Sequence, residues 1–235
     1  MDTKKCIWMD AGAVAYQLCP LKQNCELCDF HKEMVRGCRT HSIARKASLV
    51  TMKVPEESVI HFVPGLQYLP GHFWYRRIAD GKIRIGIDKF LWQLFSAAQK
   101  VVTPEDKTTL RANQCFAWLL LGGGIIYLRT PIPGRILGSN PLFLNQDIED
   151  AHLYLSPEPE LWLLELEVSD LSGFENLTRE KYINQTQHDY RRFKALKSPE
   201  NLRSQAPIFP GAAEITRNEF SKYLRAISDN QIYIC

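Results

Sequence analysis

The sequence predicts a mainly β protein with peripheral helices, an α+β fold. Three stretches carry that prediction. Cys115 to Leu121 and Ile125 to Arg129 are apolar runs that meet at Gly122-Gly123-Gly124. Phe73 to Ile78 and Lys82 to Ile87 alternate around Asp80-Gly81. Tight hairpins need φ > 0 at the turn, which glycine adopts freely, so both pairs read as β-hairpins. Leu161 to Val168 adds a strand in which Glu165 and Glu167 alternate with Leu164, Leu166 and Val168.

A chain of 235 residues holds one medium domain with extensions, or two small ones. Hydrophobic residues at 45% and charged residues at 23% fit a soluble protein with a real core. No apolar run reaches the length of a membrane span, so no membrane partner is expected. Acids at Asp2 and Asp10 and the lack of a long apolar core argue against a signal peptide. The expectation is a cytoplasmic protein with reduced thiols. The net charge is +3, with a mildly acidic centre between mildly basic ends. There is no dense basic stripe with exposed aromatics, which argues against nucleic acid as a partner.

The first 53 residues form a cysteine-rich segment, expected to bind metal. Cys6, Cys19, Cys25, Cys28 and Cys38 fall here, with the core spacing Cys19-x5-Cys25-x2-Cys28 and with His31 and His41 close behind. A C-x2-C pair lets two thiolates approach one ion from a single turn of backbone. The expected ligands are Cys19, Cys25, Cys28 and Cys38, with His31, Cys6 and His41 as alternates. Zinc is the first expectation, metal-free reduced thiols the second, and an iron–sulfur cluster the third. Asp29 to Lys46 reads as a helix interrupted at Gly37, which sets His31 one turn from Cys28.

Residues 54–183 form the expected central domain. Prolines at 55, 64 and 70 mark its boundary, with a short strand at Ser58 to Val63. His61 there reads as a strand-surface or core histidine. Asp88 is placed to N-cap a helix from Lys89 to Phe95. A strand follows near Lys100 to Val102, then the glycine hairpin. Thr130-Pro131-Ile132-Pro133-Gly134 is a rigid turn before another strand from Arg135. Glu165 and Glu167 read as a solvent-facing strand edge rather than an acid–base pair. A polar helix over Thr178 to Leu196, with Tyr182, Tyr190 and Phe193 as its apolar contacts, leads into a helical C-terminal extension over 184–235. There, residues 198–215 read as an extended linker, and Thr216-Arg-Asn-Glu219 as a capping box for a helix through Ile227.

No nucleotide-binding or nucleophile-elbow motif is present. Gly122-Gly123-Gly124 lacks both the spacing and the following helix of a phosphate-binding loop. Cys115 lies inside an apolar strand, where a thiol is usually inert. No catalytic residue is assigned.

Residues 71–183 resemble the H protein of the glycine cleavage system, a small lipoyl carrier. Gly71-His72-Phe73-Trp74-Tyr75 through Asp80-Gly81 to Ile85-Gly86-Ile87-Asp88 is similar to that family's His-x-Trp strand, Asp-Gly turn and Val-Gly-Ile-Thr-Asp segment. Thr130-Pro131-Ile132-Pro133-Gly134-Arg135-Ile136 with Asn140 resembles its Ser-Pro-Val-x-Gly-x-Val stretch and closing Asn. Leu161-Trp162-Leu163 resembles its Gly-Trp-Leu strand, and Ser169-Asp170 through Leu177 and Tyr182 its C-terminal helix entry. The resemblance implies a barrel-sandwich hybrid core. It also implies a hairpin tip of Glu-Ser-x-Lys whose lysine holds the lipoyl arm. In this sequence that lysine position falls on Gly123, and the Glu and Ser positions on Leu120 and Leu121. No lysine lies between Thr108 and Glu180. No lipoate is therefore expected. The expected function is a non-carrier binding or scaffold protein with a protein partner. A flat tip bordered by Leu120, Leu121, Ile125 and Ile126 is a candidate docking surface, although burial of these residues in the core is the favoured reading. A carrier role through another residue and iron–sulfur electron transfer are the alternatives.

Overall fold

The computed structural model describes residues 5–10, 17–21, 24–40, 49–53, 60, 62–95, 98–121, 124–143, 156–196, 212–228 and 232–234. In chain order the described strands are β1 Leu49–Lys53, β2 Gln67–Leu69, β3 Phe73–Ala79, β4 Lys82–Ile87, β5 Ala98–Val102, β6 Thr109–Leu110, β7 Cys115–Leu121, β8 Gly124–Arg129, β9 Gly134–Ser139, β10 Trp162–Glu167, β11 Ala212–Thr216 and β12 Ile232–Ile234. The helices are α1 Ile7–Asp10, α2 Asp29–Thr40, α3 Lys89–Leu94, α4 Arg179–Leu196 and α5 Arg217–Ile227. One sheet runs β2-β3-β4-β10-β9-β6, a second runs β12-β8-β7-β5, and β1 pairs with β11. The named pairs are antiparallel. The fold is mainly β with peripheral helices, and the two larger sheets form the barrel-sandwich core.

The two sheets share one apolar core. Phe73, Tyr75, Ile83, Ile85, Ile136 and Leu164 of the first meet Phe116, Leu119, Ile126 and Leu128 of the second. Successive side chains on a strand point to opposite faces, so Trp74, between Phe73 and Tyr75, leaves this core. It packs outside with Tyr68 and with Tyr182 of α4. Gly86 sits where any side chain would collide, since a Cβ there would lie 2.6 Å from Trp74 Cζ2. The Asp80-Gly81 turn closes as expected, with Gly81 at φ +63°. Asp88 caps α3, its side chain accepting the Leu91 N–H at 2.9 Å.

Several expectations are corrected. Of the strand expected at Ser58 to Val63, the described residues Ile60, Phe62 and Val63 are not in a strand, and the strand forms at Gln67–Leu69 instead. His61 lies outside the described residues. Within the expected linker, residues 212–215 enter β11, which pairs Ala212 with Lys53 and Thr216 with Leu49. Helix α2 runs unbroken through Gly37 to Thr40, and 41–46 lie outside the described residues. Glu165 and Glu167 are not on an edge, because β10 lies between β4 and β9. They face outward and pair with Arg84 (3.4 Å) and Arg135 (2.7 Å). The expected boundary at 183/184 falls inside α4. Beyond it Phe193, Phe220, Leu224, Ile227 and Ile232 enter the same core as the strands, and β12 pairs with β8.

Candidate functional site: a cysteine segment on the glycine hairpin

Strands β7 and β8 pair in register up to Leu121 opposite Gly124. The two residues between them, including Gly123, lie outside the described residues. Both strands are apolar on both faces, the pattern of strands covered on both sides. Phe116, Ala117 and Leu119 face the barrel core, with Ile126 and Leu128 of β8. Trp118 and Leu120 face the other way, with Ile125 and Tyr127. A register shift between Cys115 and Ala117 lets Phe116 and Ala117 both reach the core.

The N-terminal segment covers that second face. Cys6, Ile7, Trp8 and Cys25 share one buried cluster with Cys115, Trp118, Leu120, Ile125 and Tyr127, and Phe30, Met34 and Val35 of α2 pack against it. His31 is buried among aromatic rings, 5.8 Å from Trp8, 5.8 Å from Tyr127 and 6.3 Å from Trp118 between centroids. This rules out the candidate docking tip and agrees with the core reading of these residues. Leu120, Ile125 and Ile126 are buried, two of them under the cysteine segment and Ile126 in the barrel core. The side chain of Leu121 lies outside the described residues. Cys115 is buried, as expected of an inert thiol, and its Sγ donates to the Ala117 carbonyl at 3.6 Å.

The expected ligands are placed unevenly. Cys25 and Cys28 bracket a single 3-10 turn, with the Cys28 N–H donating to the Cys25 carbonyl at 3.0 Å. Cys19 follows Leu18, which bridges Lys5, and the Cys6 N–H donates to the Gln17 carbonyl at 2.9 Å. Cys6, only an alternate ligand by its spacing, is thereby drawn toward Cys19. Burial pushes the Cys6 thiol above its ordinary pKa, the backbone N–H groups of Trp8 and Met9 oppose this, and the charges of Cys19 and Cys28 add to the rise. The Cys38 side chain and His41 lie outside the described residues. His31 is occupied otherwise: its Nδ1 accepts the Trp8 indole N–H at 3.2 Å. Burial pushes its pKa down to about 4, so the ring is neutral at pH 7. Among the described residues no group of three or more His, Cys, Asp or Glu side chains is placed to hold a metal ion.

No protein-family model matches the chain. Its curated relatives are H proteins. It is 31% identical over 140 residues to the glycine cleavage system H protein of Anoxybacillus flavithermus, covering 57% of this chain and 99% of that one. Against that of Geobacillus thermodenitrificans it is 32% identical over 124 residues, covering 50% and 90%. The chain belongs to the glycine cleavage system H protein family. A solved H-protein structure from Mycobacterium marinum covers 53% of this chain and 99% of that chain, at 23% identity and a TM-score of 0.44. Among the described residues no helix is long and apolar enough to cross a membrane.

This H-family barrel also holds a buried polar network that sequence reasoning missed. His72 and Asp88 are fully buried, 2.7 Å apart at Nδ1 and Oδ2. His72 Nε2 lies 3.3 Å from Asp189 Oδ2 on α4. The Tyr182 hydroxyl donates to Asp88 Oδ2 at 3.1 Å, and the Tyr68 hydroxyl to Glu158 Oε1 at 2.8 Å. Burial works to lower the His72 pKa, but Asp88 and Asp189 outweigh it and the pKa is pushed up to about 9. Glu158 goes the other way for a carboxyl. Burial, aided by the Asp88 charge, pushes it up to about 8. The missed signal was Asp189, a lone acid among Tyr182, Tyr190 and Phe193 on the apolar side of a polar helix. Through Asp189 and Tyr182 this network fastens α4 to His72 and Asp88 beside the sheet.

Proposed function

We propose that the chain is a non-carrier member of the H-protein family. It acts as a non-catalytic binding or scaffold protein, and its N-terminal cysteine segment holds a structural metal ion, zinc foremost. The observation that carries this reading is the hairpin. The family's arm is amide-linked and needs a primary amine. Here Gly123 stands at that position, and no lysine lies between Thr108 and Glu180. The residues present do not fit an attached lipoyl group. The outer face of the same hairpin, with Trp118, Leu120, Ile125 and Tyr127, is buried under the cysteine segment. A hairpin that carries a platform on one face is suited to presenting that platform rather than to swinging an arm.

The relatives are components of the glycine cleavage system by name, which supports another protein as the partner. The surface offered to it is the cysteine segment together with the barrel flank, since Leu120, Ile125 and Ile126 of the hairpin are buried. Intact mass spectrometry of the protein, produced in cells competent for lipoylation, tests the reading. The expected mass is that of the unmodified chain. A lipoyl adduct would overturn the non-carrier assignment.

A further inference from the structure

The geometry points to Cys6 as the fourth thiolate of one zinc site, with Cys19, Cys25 and Cys28. This rests on the metal part of the function proposed above, and it replaces Cys38 in the expected set.

Four observations set the segments that carry these cysteines side by side. The antiparallel bridge between Lys5 and Leu18 sets Cys6 and Cys19 on adjacent strands of backbone. Side chains alternate, so Cys6 and Cys19 fall on the same side as diagonal neighbours across the bridge. The 3-10 turn presents Cys25 and Cys28 together. Cys6 and Cys25 belong to one buried cluster. Finally, the Trp8–His31 hydrogen bond, two residues beyond Cys6 and three beyond Cys28, pins α1 onto the start of α2. The electrostatic influence of Cys19 and Cys28 on the Cys6 thiol agrees with this closeness.

The surroundings suit thiolates. The backbone at Trp8 and Met9 favours the charged form of the Cys6 thiol, against the effect of burial. The indole N–H of Trp118, in the same cluster, is buried with no hydrogen-bond partner among the described residues. Metal-bound sulfurs are acceptors that such donors stabilise. Histidine is not needed, since the His31 Nδ1 is held by Trp8. A four-thiolate set is a closed structural zinc shell. Binding replaces four S–H bonds by four Zn–S bonds and releases four protons to solvent, with no change of oxidation state. Closing the shell requires the four thiol side chains to be drawn together on binding, since among the described residues they are not gathered around one point.

The test uses the full chain, purified anaerobically under reducing, metal-replete conditions. Zinc, iron and acid-labile sulfide are quantified. Each cysteine is then alkylated with iodoacetamide, with and without a zinc chelator, and read by peptide mass spectrometry. The expected result is about one zinc per chain, with Cys6, Cys19, Cys25 and Cys28 alkylated roughly tenfold faster after chelation. Cys38 and Cys235 should react at the same rate in both arms. Protection of Cys38 in place of Cys6 would overturn the ligand set and leave the metal reading standing. Iron with stoichiometric sulfide would overturn zinc. Absence of any metal would remove the site, while the non-carrier assignment, tested by mass, would be untouched. Cys6→Ser should lose zinc and Cys38→Ser keep it. The alkylation pattern of the wild-type chain decides the matter even where Cys6→Ser fails to fold.

Discussion

The Trp8 indole N–H donates to His31 Nδ1 at 3.2 Å, with both rings buried. An indole nitrogen only donates, so Nδ1 must carry a lone pair and the proton sits on Nε2. The contact joins the first short helix to α2 and holds both against Trp118 and Tyr127 of the hairpin. It requires a neutral ring.

That requirement gives the docking of the cysteine segment a pH dependence. The His31 pKa is lowered from 6.5 to about 4 by burial. Below about 6.5 the undocked segment takes up a proton that the docked one refuses, so docking weakens as pH falls from 6.5 toward 4. Hydrogen exchange at pH 7.0 and pH 5.0, corrected for intrinsic rates, should show residues 5–40 losing protection while β3, β4 and β10 keep theirs. Equal protection of the segment at both values would sink the idea.

Asp88 serves three partners at once: the Leu91 N–H, His72 and the Tyr182 hydroxyl. Replacing it with Asn keeps the cap but leaves a buried imidazolium short of a charge. The expected loss is about 3–5 kcal/mol, the usual cost of breaking a buried ion pair. The His72 pKa is raised from 6.5 to about 9. Its contribution is therefore full below about 6.5 and is lost as pH rises through 9. Urea melts of both proteins at pH 6.0 and 9.5 check this. Asp88→Asn should show a smaller drop between the two values, and an unchanged drop would refute the assignment.

Much of the barrel was legible because its signals are local. A hairpin needs only two alternating runs and a turn such as Asp80-Gly81, and the Asp88 cap needs only its own helix. The hairpin's burial was also present in the sequence, since Cys115 to Leu121 is apolar on both faces. What covered it was not, because α1 contributes only Ile7–Asp10. The β1–β11 pairing joins residues about 160 apart in sequence, and nothing in Leu49–Lys53 names its partner. The His72 network was hidden for the same reason, as Asp189 lies 117 residues from His72. Among the cysteines, the C-x2-C pair was plain. The approach of Cys6 depends on the Lys5–Leu18 bridge, which no spacing rule encodes.

Gly86 tests the packing of the outer tryptophan. A methyl group there would stand 2.6 Å from Trp74 Cζ2 and 3.1 Å from the Leu161 carbonyl. Trp74 is fully buried, and its Nε1–H is held by the Ile87 carbonyl at 2.9 Å, so the ring has little room to move. Gly86→Ala should lower stability by about 1–3 kcal/mol, the range for overpacking a filled core. Gly138→Ala is the control, as a Cβ there meets nothing within 4 Å. Equal urea midpoints for the two variants would show that the collision is relieved elsewhere.

Glu158 offers a sharper test of the buried network, because a neutral isostere is available. Its pKa is raised from 4.5 to about 8, foremost by burial, so at pH 7 it is held mainly as the neutral acid. The folded chain keeps a proton that the unfolded chain loses above about 4.5, so stability falls as pH rises from 4.5 through 8. Glutamine keeps the shape and an oxygen for the Tyr68 hydroxyl, but it does not titrate. Glu158→Gln should therefore be close to wild type near pH 5. It should then gain on it by about 1–3 kcal/mol by pH 8.5, given that a tenfold change in proton affinity is worth roughly 1.4 kcal/mol. The His72 titration is common to both proteins and cancels in the comparison as long as the Asp88 contact is kept. Denaturant midpoints across that range decide the point. Parallel curves for the two proteins would mean that Glu158 is already ionised at neutral pH, and that its charge is met by a partner other than Tyr68.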